Sequence, residues 1–157
     1  MNKSRISEVL QLVSEGKLSP EQATTELSLT APASDIDFAT VDHNREDRIG
    51  FPEVVYGLSK TPSDTAEIAT RIYEKSDVVL VTKSSEEAFE LFQKSVPEAV
   101  WDEGPRAIWA DRRTNQSQPP GVAVVAAGTS DLPIAREAVL TATLMGCDVN
   151  MITDVGV

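Results

Sequence analysis

The chain is 157 residues long, and apolar residues make up 41% of it, which is enough to bury a core. Its 25 acidic and 14 basic residues give a formal net charge of -11, which repels the phosphate backbone of nucleic acid and the anionic face of a membrane. We therefore expect no nucleic acid and no membrane as a partner, whereas a small phosphorylated ligand needs only a few local arginines and a helix N-terminus.

Two residue types that build disulfides and metal sites occur once each. Cys147 is the only cysteine, so an intramolecular disulfide and a zinc site built on several cysteines are excluded. His43 is the only histidine, which excludes a multi-histidine metal site, and we predict no metal site. The N-terminus lacks the apolar core of a signal peptide, and no stretch approaches the length of a membrane span. The sequence therefore predicts a cytoplasmic protein.

The N-terminal residues predict a short helical hairpin over 4–29, which we call the arm. Apolar residues recur at helical spacing from Ile6 to Val13, which predicts the first helix. Ser19 is a candidate N-cap of the second helix, with Pro20 at its first helical position. Ala23 would point inward from the second helix, and a breaker-rich linker follows the arm. We interpret the arm as a packing or docking element without chemistry.

Residues 36–113 predict a small domain of helices and strands. The alternation over 36–41 predicts one strand, which the charged run DHNREDR interrupts. Thr61 then caps a helix that reaches about Lys75, DVVLVT is a fully buried strand, and SSEEAFELFQKS is a second capped helix. VWDEG and AIWADRR are short strands, and their two tryptophans are interpreted as packing residues.

The polar, proline-closed stretch TNQSQPP predicts a linker with a domain boundary near residue 118. After it, GVAVVAAG predicts a buried strand, SDLPIAREAVLTATLMG a long helix and DVNMIT a second strand. One helix cannot cover both faces of a parallel pair, so the sequence predicts an incomplete parallel domain over 119–157. Its exposed apolar surface favours a homo-oligomer.

The sequence AAGTSDLP is the first group of candidate binding residues. Gly128 lets the backbone turn closely, and the hydroxyl groups of Thr129 and Ser130 can point with the amides of the first helical turn at a phosphate or carboxylate. Ser130 or Asp131 can equally be an ordinary N-cap. From physical chemistry alone we weigh capping slightly above ligand binding.

Asp42, Arg45, Arg48 and Glu53 form the second group, within DHNREDRIGFPEVVYG. The two arginines can make paired hydrogen bonds to phosphate or carboxylate groups, and either acid can orient them or accept a proton. The alternative is a solvated surface loop with internal ion pairs.

Cys147 lies at the end of an apolar helix. We expect it to be buried more than we expect it to act as a nucleophile.

The stretch DHNREDRIGFPEVVYGLSK, from Asp42 to Lys60, resembles the LarB family signature D-x-x-R-x-x-R-x-G-F-P-E-V-x-[YF]-G-x-x-K. AAGTSDLPIAREA and DVNMITDVGV resemble that family's second domain, which is related to PurE, the aminoimidazole ribonucleotide carboxylase. Ala127 and Gly128 stand where PurE has glycine and serine. The sequence ends at Val157, before the A-G-x-H-R stretch and the catalytic cysteine that the family would carry, so we expect the fragment to be inactive alone.

The resemblance implies an α/β fold. A helical hairpin and a small α+β domain (1–118) would precede the start of a PurE-like, flavodoxin-like parallel three-layer domain (119–157). It implies carboxylation of the pyridinium ring of nicotinic acid adenine dinucleotide, with hydrolysis of its phosphoanhydride. The co-substrate would be CO2 or bicarbonate, with no tightly bound cofactor, and a role for Mg2+ stays open. The catalytic residues implied are Asp42, Arg45, Arg48 and Glu53, and the substrate-binding residues are Lys60, Gly128, Thr129, Ser130 and Asp131.

Two alternatives remain. A PurE-type enzyme would act on an imidazole ribonucleotide, although such enzymes lack a segment like DHNREDRIGFPEVVYG. A non-catalytic nucleotide-binding module would need neither the A-G-x-H-R stretch nor the catalytic cysteine, both of which are absent from this sequence.

Overall fold

The computed structural model describes residues 3–29, 34–36, 39–42, 45–114 and 120–156. No helix in these ranges is both long and apolar enough to cross a membrane. The helices are α1 (Lys3–Ser14), α2 (Pro20–Leu29), α3 (Arg45–Ile49), α4 (Pro62–Tyr73), α5 (Glu86–Gln93) and α6 (Leu132–Leu144). The strands are β1 (Ser34–Ile36), β2 (Ala39–Val41), β3 (Val55–Tyr56), β4 (Val78–Thr82), β5 (Val100–Asp102), β6 (Ala107–Asp111), β7 (Pro120–Ala126) and β8 (Asp148–Thr153). This mixture confirms the predicted α/β class. The predicted boundary near 118 lies outside the described residues.

The arm is a helical hairpin, as predicted. Ser19 and Gln22 form a capping box: the serine hydroxyl accepts from the Gln22 amide at 3.2 Å, and the Gln22 side chain accepts from the Ser19 amide at 2.9 Å. Val9 of α1 and Ala23 of α2 are buried. Leu10, which the helical pattern also included, is 58% exposed.

Residues 34–41 do not form the single strand that the alternation over 36–41 predicts. β1 and β2 pair antiparallel, with Ser34 opposite Val41 and Ile36 opposite Ala39. Two residues, 37 and 38, separate the strands, and they lie outside the described residues. The alternation over 36–41 does not show where β1 ends and β2 begins, because it runs through both strands.

A four-stranded sheet in the order β3-β4-β6-β5 lies at the centre of the fold. β3 runs parallel to β4, and β6 is antiparallel to both β4 and β5. All five residues of β4 are buried, as the continuous apolar run DVVLVT predicts. Because β3 and β4 are parallel, they end at the same side of the sheet. We call that side the carboxyl edge.

Helices α4 and α5 cover one face of the sheet. Both begin at their predicted caps, since Thr61 and Ser85 each accept a hydrogen bond from the backbone amide three residues later. Val79 and Val81 of β4 pack on this face with Phe92 of α5, which is fully buried.

Helix α6 covers the opposite face. The alternate residues of β4, Val78 and Leu80, pack there with Phe51 and with Leu140 and Leu144 of α6. The sheet therefore lies between two helical layers, and this explains why β4 is apolar on both sides.

Strands β7 and β8 pair parallel on either side of α6 in sequence, so the predicted βαβ unit is confirmed. Val125 pairs with Ile152, so these two side chains share a face of the pair, and they are 58% and 48% exposed. This apolar face is the surface for which we predict self-association.

Tyr73 and Arg112 join the end of α4 to the sheet. The Tyr73 hydroxyl donates to Glu98 at 3.0 Å, and the Arg112 guanidinium lies 4.6 Å from the centre of the Tyr73 ring. Arg112 also donates to the main-chain oxygens of Tyr73 and Ser76, both at 3.1 Å, and pairs with Asp77 at 2.7 Å. Burial, and after it the hydrogen bond to Glu98, together raise the pKa of Tyr73 to about 12.

This raised pKa predicts that the protein loses stability in alkali. The contribution of Tyr73 is complete below its ordinary pKa of 10.0 and is lost as the pH rises through the folded pKa of about 12, because only the unfolded phenol ionises in between. The free energy of unfolding should fall there by up to about 1.4 kcal/mol per pH unit. Urea unfolding at about pH 9 and about pH 11 measures the loss, and Tyr73→Phe should reduce it. Tyr56→Phe, at an exposed tyrosine, should not; an undiminished loss in Tyr73→Phe contradicts the prediction.

Candidate functional site

Contacts at both ends of α6 set its direction relative to the sheet. Lys83 follows the last residue of β4, and its ammonium pairs with the Glu137 carboxylate in the first half of α6 at 2.8 Å. Arg113 follows β6 and donates to the main-chain oxygen of Leu144, the last residue of α6, at 2.6 Å. Leu144 packs with Val78, the first residue of β4. Helix α6 is therefore antiparallel to β4, and its N-terminus points toward the carboxyl edge.

Residues 128–131 lead into α6, and we call them the α6 loop. The side chains of Thr129, Ser130 and Asp131 are exposed. Asp131 occupies the N-cap position of α6 and Gly128 that of the preceding 3-10 turn, yet neither position has a side-chain capping hydrogen bond. Asp131 is thus the N-cap residue by position, as one of the two interpretations predicts, but its side chain makes no capping hydrogen bond. The Ser130 hydroxyl lies 3.5 Å from the Asp131 carboxylate, and both side chains are exposed to solvent and to a ligand.

The fold does not itself require glycine at position 128. Its φ is -100°, and a Cβ built there would meet only the ends of the Ser130 and Asp131 side chains, at 3.5 Å. Close approach of a ligand is a separate reason for a glycine, as in other phosphate-binding turns.

The carboxyl edge brings Lys60 and Gly57 next to the end of β4. The Gly57 amide donates to Thr82 at 2.8 Å, and a Cβ at Gly57 would lie 3.2 Å from the main-chain oxygen of Lys83. Only glycine therefore fits at this position without a backbone shift. The exposed Lys60 donates through its ammonium to the main-chain oxygen of Tyr56 at 2.9 Å.

Lys83 adopts a left-handed backbone conformation with φ of 52°. Strand alternation would place its side chain with Val79 and Val81, on the face covered by α4 and α5. Its ammonium instead reaches Glu137 of α6, on the opposite face. A non-glycine residue in this conformation costs about 1–3 kcal/mol, and such residues cluster at functional sites.

Arg106 and Ser84 complete the carboxyl edge. Arg106 precedes β6, also has a left-handed backbone, with φ of 55°, and donates through Nε to the main-chain oxygen of Ser84 at 3.1 Å. The Ser84 amide donates back to the main-chain oxygen of Arg106 at 2.8 Å. Ser84 is 3% exposed, and its hydroxyl has no hydrogen-bond partner among the described residues. Three cationic residues thus lie along this edge: Lys60, Lys83 and Arg106.

Asp42, Arg48 and Glu53 form a separate cluster before β3. Arg48 makes a two-bond fork to the Asp42 carboxylate, with distances of 2.5 and 3.3 Å, and this hydrogen bonding raises the pKa of Arg48. Glu53 accepts from the Asp42 amide at 2.9 Å. Arg45 lies one turn from Arg48 on α3 and is exposed. The sequence did not predict α3, because five residues with no apolar stripe give no helical periodicity.

The structure does not bring the two predicted groups into one hydrogen-bonded cluster. Among the described residues no hydrogen bond or ion pair links α3 to the α6 loop. Lys60 and the α6 loop both lie on the carboxyl side of the sheet. His43 lies outside the described residues.

Cys147 lies far from the α6 loop, and the described residues contain no cluster of metal-binding side chains. Cys147 follows the C-terminus of α6 and is roughly 20 Å along the helix from Asp131, which supports a structural role for it. Within the described ranges, no cluster of histidine, cysteine, aspartate or glutamate has the arrangement of a metal site. The question of Mg2+ therefore stays a prediction.

Sequence reasoning missed Lys83, Arg106 and Glu137. The only signal for Lys83 is its position directly after a buried strand. Glu137 lies in the middle of α6, where an acid ordinarily faces solvent. Their pairing depends on tertiary packing that no local pattern contains.

The family model described as the LarB/PurE-like N-terminal domain matches residues 33–112. The match includes β1 to β6 and the cluster around Arg48. The chain belongs to this family.

One curated relative is uncharacterized protein MJ0165 of Methanocaldococcus jannaschii, which is 30% identical over 123 residues. The alignment covers 74% of this chain and 48% of the relative. The chain thus spans about half the length of that protein.

The close approach at Gly57 predicts that Gly57→Ala destabilises the protein by about 1–3 kcal/mol, because a methyl group there presses on the backbone of residues 82–84. Gly128→Ala is the matched control, since its methyl group meets only ordinary contacts. Its effect should stay within about 0.5 kcal/mol. Urea unfolding of both variants measures the difference, and equal losses would contradict the packing at Gly57.

Proposed function

We propose that the protein to which this chain belongs carboxylates the pyridinium ring of nicotinic acid adenine dinucleotide and hydrolyses its phosphoanhydride. The products are pyridinium-3,5-biscarboxylic acid mononucleotide and AMP, and the reaction is the first step of nickel-pincer nucleotide synthesis. One carbon–carbon bond forms between the ring and CO2 while the ring C–H bond breaks and releases a proton; with bicarbonate as the source, a water molecule leaves instead. Another water molecule cleaves one phosphorus–oxygen bond. Membership of the LarB/PurE-like family supports this class of reaction.

The α6 loop is the observation that carries the proposal. Its hydroxyl groups are exposed and its N-cap position is not closed by a side chain. It lies at the N-terminus of a thirteen-residue helix, which favours a negative charge. The helix directs the loop toward the side of the sheet that carries Lys60. A dinucleotide with two phosphates and a ring carboxylate is a ligand suited to this surface.

The cluster before β3 supplies the second group of proposed contacts. The Arg45 amide donates to the main-chain oxygen of Asp42 at 3.2 Å, but its exposed guanidinium makes no hydrogen bond or ion pair with a described residue and is open to an anionic group. Arg48 is held by Asp42, and Glu53 holds the Asp42 backbone. We assign Arg45 to direct contact with the substrate, and Asp42, Arg48 and Glu53 to the shape of the segment that presents it.

Turnover assays on the protein expressed from its complete open reading frame test the proposal. Arg48→Ala and Asp131→Asn should each lower kcat/KM for the dinucleotide by roughly tenfold or more. The first releases the segment that presents Arg45, and the second removes a charged hydrogen-bond acceptor proposed for the substrate. Arg71→Ala is a control, since Arg71 is also an exposed helical arginine with one acidic partner, Glu74, at 3.3 Å. Asp64→Asn, in the first turn of α4, is the control for Asp131.

Unchanged turnover in both variants would remove the site assignments. No carboxylated product from the unmodified protein would remove the activity. A thermal-shift comparison of the nicotinate dinucleotide with aminoimidazole ribonucleotide separates the proposal from a PurE-type enzyme. Binding of the dinucleotide without any turnover would favour a non-catalytic module.

A further inference from the structure

Lys83 is one of the three cationic residues at the carboxyl edge, and its backbone conformation explains where its side chain lies. Its left-handed backbone reverses the strand alternation and carries its ammonium to the α6 side of the sheet. The Lys83 side chain is 31% exposed and therefore partly accessible to solvent, whereas the Glu137 Oε2 that it pairs with is buried. Among the described residues it is the only ion pair between the sheet and α6.

The position of this pair relative to the α6 loop follows from helix geometry. Asp131 precedes Glu137 by six residues, which is about 9 Å along the axis of α6. Because α6 is antiparallel to β4, this displacement leads out past the carboxyl edge. The Lys83 ammonium lies 2.8 Å from the Glu137 carboxylate, so a ligand that contacts both the α6 loop and Lys83 has to span a distance of about 9 Å, which suits a diphosphate with its hydrogen bonds.

The surroundings of Lys83 favour an anion. Lys60 and Arg106 lie along the same edge, and both are exposed. The buried hydroxyl of the neighbouring Ser84 has no partner among the described residues, which is unusual for a group that is 3% exposed. Glu137 is the acid paired with Lys83, and its Oε2 has that ammonium as its only close partner among the described residues.

We propose that Lys83 binds the diphosphate of a nucleotide held at the α6 loop, and that Glu137 holds the Lys83 ammonium in place until the ligand replaces it. This inference rests on the proposed function for the identity of the nucleotide. It adds a binding residue that lies outside both groups predicted from the sequence. A purely structural ion pair is the alternative, and the two make opposite predictions for Glu137.

The test measures the affinity of the protein, expressed from its complete open reading frame, for inorganic pyrophosphate and for the nicotinate dinucleotide by titration calorimetry. Lys83→Met should weaken binding of both by roughly tenfold to a hundredfold, since it removes a charged hydrogen-bond donor. Glu137→Gln should leave the affinity unchanged or increase it, because it releases Lys83 from its competitor. Lys94→Met, at an exposed lysine beyond α5, is the control and should leave both affinities unchanged.

Equal losses of affinity in Lys83→Met and Glu137→Gln would overturn the inference and leave a structural pair. No loss in Lys83→Met, or no binding of either probe by the unmodified protein, would also overturn it. If Lys83→Met does not fold, Lys83→Arg replaces it: retained binding supports the inference, and an equal loss of binding in Lys83→Arg and Glu137→Gln overturns it. Binding is measured without turnover, so failure of the proposed carboxylation does not affect this result.

Discussion

The attachment of α6 to the central sheet is the constraint on which the candidate site depends. Leu140 and Leu144 supply the apolar part of this attachment, the Lys83–Glu137 pair fixes its first half, and Arg113 binds its last carbonyl. A hydrophobic contact alone has no direction. The two polar contacts supply it, and they orient α6 antiparallel to β4.

One consequence is that two separate sheets end on the same side of the molecule. The α6 loop follows the carboxyl end of β7, and α6 returns antiparallel to both β7 and β4. Ligands of open α/β sheets bind at the carboxyl ends of the strands. Here the carboxyl ends of β3, β4 and β7 face the same side, although hydrogen bonds join β7 only to β8 among the described strands.

The fold was more predictable than the site. The caps at Thr61 and Ser85 and the apolar run of β4 are local signals, and the structure confirms the elements that they predict. The antiparallel pair of β1 and β2 was missed, because an alternating pattern does not show where one strand ends and the next begins. The contact between Lys83 and Glu137 was not predictable, since the two residues are far apart in sequence and strand alternation predicts the wrong face for Lys83. The LarB-like motif identified the right family, but a motif does not say which of its residues bind a ligand and which bind each other.

The two arginines of that motif illustrate this last distinction. They stand three residues apart, so on α3 they are neighbours on the helix surface, and the spacing alone gives them equal roles. Arg48 nevertheless uses its guanidinium fork on Asp42, and a fork that holds one carboxylate in two bonds cannot hold a phosphate in the same geometry. Arg45 has no such partner in the described structure. The spacing is therefore best explained by a pair of arginines with different roles: Arg48 fixes the segment, and the segment presents Arg45. Glu53 holds the same segment, because its carboxylate accepts a hydrogen bond from the backbone amide of Asp42.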